Sequence, residues 1–346
     1  MSEHGERGEH GERGERPLVT VILPVRDEEA DIGGCIDAIA AQDHGAERVQ
    51  LVVVDADSTD RTVEEVRRAA ARHRFAEVVV DRNPRRRTSV GLNMGLTRAR
   101  GDYVARVDAR SRIPSHYIST CVAVMADERV GVVGGAQVAQ PRSTRAVDRG
   151  IARALRNRWA TGLSRYRRAT TSGPSDTVWM GFFRTDELRA LGGWSEAVAL
   201  NEDYELNGRY RDRGRRVWFE AGLRSGYLPR ASLRLLGRQY FFFGRVKGLW
   251  WARGDRPAAR QVALLVVPLA VAGLAWQGWR RYGPASLLAV PVALVGLDVA
   301  GGDGPPADLR SHVASAAAIA VLSGSWWAGV ITGAAGEMAH VKHQHA

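Results

Sequence analysis

The sequence predicts an α/β fold, a mostly parallel, doubly wound sheet followed by C-terminal membrane helices. Two observations carry this expectation. From residue 17 to about residue 138, short β-branched runs alternate with amphipathic helical spacing, the pattern of parallel strands joined by crossover helices. Beyond about residue 255 the composition turns to apolar stretches close to the roughly 20 residues that a helix needs to span a bilayer.

The elements follow in order. Residues 1–16 repeat His-Gly-Glu-Arg with almost no apolar content, too little to offset the entropy of ordering, and read as a disordered tail. The tail lacks the apolar core of a signal peptide, which leaves the following domain in the cytoplasm. Val19 to Leu23 is a β-branched strand stopped by Pro24, and Asp31 to Ala41 has amphipathic helical spacing. The alternation continues with a strand at Gln50–Val54, a helix at Thr59–His73, a strand at Glu77–Val80, a helix at Ser89–Ala99 and a strand at Tyr103–Val107. A helix around Ser115–Met125 and the apolar run Val130–Val138 extend the sheet. The pattern then loosens into the arginine-rich stretch Arg142–Gly173, with helical spacing over Ala146–Leu163. Asp176–Phe183 reads as a strand before a helix from Thr185, and Asn201 opens a helix that closes on Gly214 and feeds the strand Arg216–Phe219. The expected division is a domain over 17–255, a membrane-associated region over 256–338 with two to three apolar helices, and a tail over 339–346.

Val262–Trp279 and Val313–Ala335 are good spans by length. Ala285–Val299 is short and holds Asp298, costly in hydrocarbon unless paired or near the interface. Six of the ten tryptophans, Trp250, Trp251, Trp276, Trp279, Trp326 and Trp327, lie in or beside this region, as headgroup-level anchors do; a buried helical core is the rival reading. Arg245, Lys247, Arg253, Arg256 and Arg260 before the first span place that side in the cytoplasm, at the cell membrane, although Arg280 and Arg281 after it allow a shallow hairpin instead.

The net charge of +11, from 49 basic and 38 acidic side chains, suits nucleic acid, an anionic membrane or phosphorylated substrates. The absence of an RNP-type motif, zinc-finger spacing and leucine heptads argues against nucleic acid. Cys35 and Cys121 have no CxxC partner and no nearby histidine set, so they read as small hydrophobes rather than metal ligands or nucleophiles.

Acidic residues stand where strands run out, the place where open α/β sheets bind nucleotides. In Val54-Asp55-Ala56-Asp57, at least one carboxylate should cap the helix that follows Ser58-Thr59-Asp60, the reading that suits Asp57 best, and in a nucleotide site a carboxylate at this strand end can instead accept hydrogen bonds from a uracil N–H or ribose hydroxyls, with the two readings even for Asp55. In Val107-Asp108-Ala109-Arg110, Asp108 either holds a divalent cation, Mg²⁺ or Mn²⁺, against a diphosphate or pairs with Arg106 or Arg110. Asn201-Glu202-Asp203-Tyr204-Glu205 gathers three carboxylates at a helix start, which suits the helix dipole and could equally supply a base.

Taken in order, Pro24-Val25-Arg26-Asp27-Glu28, Val54-Asp55-Ala56-Asp57-Ser58-Thr59-Asp60, Gly91-Leu92-Asn93-Met94-Gly95-Leu96, Gly101-Asp102-Tyr103, Val107-Asp108-Ala109-Arg110 and Asn201-Glu202-Asp203 resemble the family 2 glycosyltransferases over roughly residues 17 to 250. Asp176-Thr177-Val178, the block from Asn201 to Asn207 and Arg238-Gln239-Tyr240-Phe241 are most similar to the membrane-anchored, succinoglycan-type exopolysaccharide glucosyltransferases. The resemblance implies a GT-A fold, a nucleoside-diphosphate sugar donor such as a UDP-hexose, a lipid-linked sugar or glycan acceptor, contact with membrane lipid, and inversion at the anomeric carbon. It makes Asp203 the catalytic base and Asp108 the first acid of the DxD motif and the metal ligand. Asp55 becomes the base-recognising carboxylate, with Glu28, Asp57, Asn93 and Arg110 also on the donor side, and Glu202 and Gln239 orient the acceptor. An ordinary Asp pKa of about 3.9 would keep Asp203 ionised near neutrality. Two departures stand out. Arg110 occupies the second acid's place in DxD and cannot bind a metal, and Phe242 stands where the family's Gln-x-x-Arg-aromatic pattern has arginine. The alternative reading is a catalytically inactive, membrane-bound binding or assembly subunit. The sequence does not report an oligomeric state.

Overall fold

The computed structural model describes residues 16–161, 165–168, 170–198, 201–254, 273–301 and 307–344. The expected tail 1–16 lies almost wholly outside them, as does most of Val262–Trp279. The parallel half of the sheet comes first: β1 (Val19–Val25), α1 (Ile32–Ala40), β2 (Val49–Asp55), α2 (Thr62–Ala70), β3 (Glu77–Arg82), α3 (Thr88–Arg98) and β4 (Tyr103–Arg106). Four parallel strands run in the order β3-β2-β1-β4. Alternation along β1 sends Val19, Val21, Leu23 and Val25 into the core beneath α1 and α2, and Ile22 into the core beneath α3. Helices therefore cover both faces, as the doubly wound reading requires.

The second half is mixed. After β5 (Ser111–Arg112), α4 (Tyr117–Val124), β6 (Val130–Ala139), α5 (Ala146–Arg156), α6 (Arg158–Thr161), α7 (Arg165–Arg168) and β7 (Gly173–Pro174), strand β8 (Trp179–Arg184) enters antiparallel between β4 and β6. Then α8 (Thr185–Ala190), α9 (Glu202–Asp212) and β9 (Arg216–Tyr227) follow, and β9 returns parallel to β6 and antiparallel to β5 and β7. The strand expected to stop at Phe219 continues to Tyr227. Its pairing shifts between Gly135 and Ala136 of β6, opposite Glu220 and Arg224, and that interruption breaks the apolar alternation a strand shows in sequence.

The C-terminal region comprises α10 (Leu233–Ala252), α11 (273–282), α12 (Ala289–Gly301) and the 36-residue α13 (Leu309–Gln344). Pro284–Gly301 and Leu309–Gly336 are long and apolar enough to cross a membrane, with mean hydropathies of 1.7 and 1.5. Their packing on the sheet domain is specific. Gly244 and Gly248 of α10 lie against the backbone of Trp326 and Val330, and Gly329 and Gly333 of α13 lie against Phe241 and Arg245, with no room for a Cβ at any of the four. Small residues four apart on both helices let the two backbones touch. Asp298 is fully buried and paired: it accepts from Arg153 Nε of α5 at 2.7 Å and Ser315 Oγ at 2.5 Å, and lies 2.7 Å from His312 Nδ1. Its carboxylate therefore faces protein rather than lipid.

Candidate active site

The strand ends and the C-terminal helices enclose one continuous cleft of about 1210 Å³. Its floor is the C-terminal edge of β1 and the segment after β4, and its far wall is α10 with the Trp326–Trp327 turn of α13. The five non-glycine residues with left-handed backbone among the described residues are Asp27, Asp57, Arg86, Met180 and Asn201. Asp27, Arg86 and Asn201 line the cleft, Asp57 is bonded to Arg86, and Met180 Sδ accepts the Asp108 N–H. Strained backbone of this kind is retained where surrounding structure fixes it for function.

At the centre stands Arg106, a buried cation at the end of a hydrophobic strand. Its Nε donates to Asp108 at 3.0 Å, and its Nη1 donates to Glu202 at 2.8 Å and to Asp203 at 2.7 Å. Burial works against the guanidinium's charge, but the three carboxylates outweigh it and hold the group well above its usual range. One side chain thus ties the tip of β4 to the first turn of α9. The Arg106–Asp108 pairing is one of the alternatives raised by the sequence, whereas the reach to Glu202 and Asp203, some 96 residues away, has no signature in spacing. A lone arginine in the strand Tyr-Val-Ala-Arg-Val was the available signal.

Asp203 also accepts from Trp194 Nε1 at 3.2 Å. Burial raises its carboxyl to about 6; Glu202 and Asp108 push the same way, while Arg106 and Trp194 oppose them. The expectation of an ordinary Asp is corrected here, because sequence shows the residue type and not its desolvation. Asn201 precedes α9 in left-handed conformation without a side-chain cap bond, and Arg106 holds the carboxylates of the helix's first turn. Glu205 instead pairs with Arg209 on the same helix.

On the strand-end side of the cleft, Glu28 lies 3.3 Å from Arg110 Nε and is raised by burial, with Arg110 opposing. Asp108 Oδ2 accepts from Trp179 Nε1 at 3.1 Å. Asp55 is turned inward and accepts from Ser58 Oγ at 2.5 Å and Ser58 N–H at 3.1 Å, so its carboxylate serves the local turn. Asp57 pairs with Arg82 and Arg86 at the rim, which hold its carboxyl below the usual range. Asn93 lies outside the cleft lining: its amide accepts the Trp194 N–H and donates to the Trp194 carbonyl, both at 2.8 Å. It thereby steadies the loop whose indole reaches Asp203. Gln239 lines the helical wall of the cleft with Arg238 and Tyr240.

For a metal, the donor set is sparse. Among the described residues no group of three or more His, Cys, Asp or Glu side chains is poised to hold an ion, and Arg106 fills the point where Asp108, Glu202 and Asp203 converge. Mg²⁺ commonly keeps only one or two carboxylates and takes the rest of its shell from substrate phosphates and water. Asp108 fits that lesser role. Cys35 and Cys121 are buried, and burial pushes the Cys35 thiol up to about 12, as packing residues require.

Comparison with known proteins agrees with this geometry. Residues 20–188 match the family model "Glycosyl transferase family 2". The succinoglycan biosynthesis protein ExoA of Rhizobium meliloti is 26% identical over 313 residues, covering 89% of this chain and 93% of its own. A dolichyl N-acetyl-alpha-D-glucosaminyl phosphate 3-beta-D-2,3-diacetamido-2,3-dideoxy-beta-D-glucuronosyltransferase of Methanococcus voltae is 23% identical over 244 residues, covering 68% and 74%. Among solved structures, the mannosyltransferase PcManGT from Pyrobaculum calidifontis, in complex with GDP-Man and Mn²⁺, superposes with a TM-score of 0.54 at 23% identity, over 92% of this chain and 87% of its own. The chain is therefore a glycosyltransferase that carries a family 2 domain on a GT-A fold.

Proposed function

We propose that the enzyme transfers a hexose, with inversion, from a nucleoside-diphosphate sugar such as a UDP-hexose to a hydroxyl of a lipid-linked or polysaccharide acceptor in cell-surface or exopolysaccharide synthesis. The observation that carries this reading is that Asp203 lines one continuous cleft shared by the strand-end residues and the aromatic side chains of α10 and α13. The succinoglycan and dolichyl-phosphate-linked activities in the names of the two relatives support the acceptor class.

In this scheme the Asp203 carboxylate accepts the acceptor's hydroxyl proton as that oxygen attacks the anomeric carbon. The bond from that carbon to the diphosphate oxygen breaks with its electron pair, and inversion follows from the single displacement. Arg106 holds Asp203 and Asp108 in a fixed relation, so that base and leaving group approach one carbon together. Glu202, on the same guanidinium, orients the acceptor face, and Gln239 meets the acceptor further out. Glu28 lines the donor end of the cleft, Asp57 braces Arg86 at its rim, Asp55 holds the local turn through Ser58, and Asn93 acts through Trp194. A divalent cation arriving with the donor would be held by Asp108 and would neutralise charge on the diphosphate. The sheet domain over 17–255 works on the cytoplasmic side, with the region 256–338 in the membrane.

The test is radiolabelled sugar transfer from a panel of nucleotide sugars to membrane lipid extract, with Asp203→Asn alongside. Transfer by the native enzyme and none by the variant, at equal nucleotide binding, is the expected result. Full transfer by Asp203→Asn would overturn the assignment of the base, and nucleotide binding without turnover in the native protein would favour the inactive-subunit alternative.

A further inference from the structure

Arg110, in the place of the second DxD acid, is only partly satisfied by the protein. Its Nε lies 3.3 Å from Glu28, and its guanidinium sits over the Tyr227 ring, 5.6 Å from the centroid. Its Nη1 is buried and has no hydrogen-bond partner. An unsatisfied N–H on a charged group costs more than one on a neutral group, so such an atom persists where a ligand completes it.

A second arginine stands beside it. Arg230 lines the same cleft and is held below the usual guanidinium range by burial, then by the charge of Arg110. The backbone leading to Arg230 is pinned on both sides. Leu228 N–H donates to the Arg110 carbonyl at 2.9 Å, and Arg142 donates to the Pro229 carbonyl at 2.5 Å while holding Asp31 with its other nitrogens. With Asp31 held by Arg142, Glu28 is left as the carboxylate whose charge acts on both Arg110 and Arg230. Two guanidiniums against one carboxylate leave this corner of the cleft with a local positive charge in a partly desolvated place, where an anion binds most strongly.

We propose that Arg110 and Arg230 form a two-arginine clamp for the donor's pyrophosphate, with Glu28 as the counterion that the phosphates displace from Arg110. This rests on the nucleotide-sugar reading of the cleft and adds Arg230, a positive pair where the DxD pattern has an acid, and diphosphate binding that does not require a metal. No covalent step is involved. The clamp binds the ground-state diphosphate and stays with it as charge grows on the leaving oxygen.

The test uses inorganic pyrophosphate, which carries neither base nor sugar, titrated calorimetrically into the full-length protein in nanodiscs with excess EDTA. Binding should persist in EDTA, and Arg230→Gln and Arg110→Gln should each weaken it about tenfold or more. Arg85→Gln, which removes an exposed arginine paired with Glu196, should leave it unchanged. Glu28→Gln should tighten binding several-fold, a gain that a merely structural Arg110 would not give. Unchanged affinity in Arg230→Gln, or loss of native binding in EDTA, overturns the clamp, and sugar transfer measured separately would leave the enzyme's reaction standing. Arginine-dependent binding of pyrophosphate, with no binding of any nucleoside diphosphate, would keep the clamp and sink the nucleotide-sugar reading.

Discussion

The two walls of the cleft are built on different physical terms. The strand-end wall is electrostatic: one buried guanidinium holds three carboxylates, and its geometry is set by charge. The helical wall is steric: α10 and α13 touch through glycines, with aromatic rings fringing the contact. Charge fixes where a bond is broken, whereas close backbone packing fixes the shape of what is brought to it. The two should therefore fail differently when altered.

The sharpest break is at the charged wall. Asp203→Asn should lower transfer by about two to four orders of magnitude, the usual contribution of a general base, with nucleotide affinity kept, as read by initial rates and by titration calorimetry. Arg106→Met comes next. It leaves three carboxylates facing one another, and breaking a buried ion pair from one side costs about 3–5 kcal/mol. Denaturant unfolding should report that loss, and transfer should fall even where the protein stays folded.

On the steric wall, Gly329→Leu places a side chain into the backbone of Phe241. Overpacking costs about 1–3 kcal/mol and should separate α10 from α13. Acceptor KM should rise while pyrophosphate affinity stays constant. A parallel loss of both would show that the walls are coupled. The mildest effect is with pH. A carboxylate base works only when ionised, and the Asp203 carboxyl is raised to about 6, so under the proposed role kcat should climb as pH rises through about 6 and level off above it. A profile flat down to pH 4.5 would mean that the group is not desolvated in the working enzyme.

The charged wall was the more legible in sequence, and the reason is local. The strand ends at Asp55 and Asp108 and the acidic helix start at Asp203 each fall inside a short window where period and residue type can be read. What escaped notice is what those residues touch. Arg106 lies two positions from Asp108, but its partners lie on α9, and Asp55 spends its carboxylate on Ser58 rather than facing the cleft. Asn93 stands in a motif yet reaches Trp194, about 100 residues on, to steady the loop from behind. The sheet shows the same limit. Parallel strands and their helices were readable up to Val138, but the antiparallel entry of β8 depends on which strand it finds, and that is a long-range choice.

Arg153 and Asp298 meet across 145 residues of chain. At a synthesis rate of about 5–20 residues per second, α5 leaves the ribosome roughly 7–30 s before the carboxylate that neutralises it. During that interval Arg153 has no carboxylate from α12, and the face of α5 that packs against α13 is uncovered. The order of manufacture therefore makes the last helices the step that completes the Arg153 pairing, and a nascent chain stalled before residue 298 would carry an unfinished arginine socket.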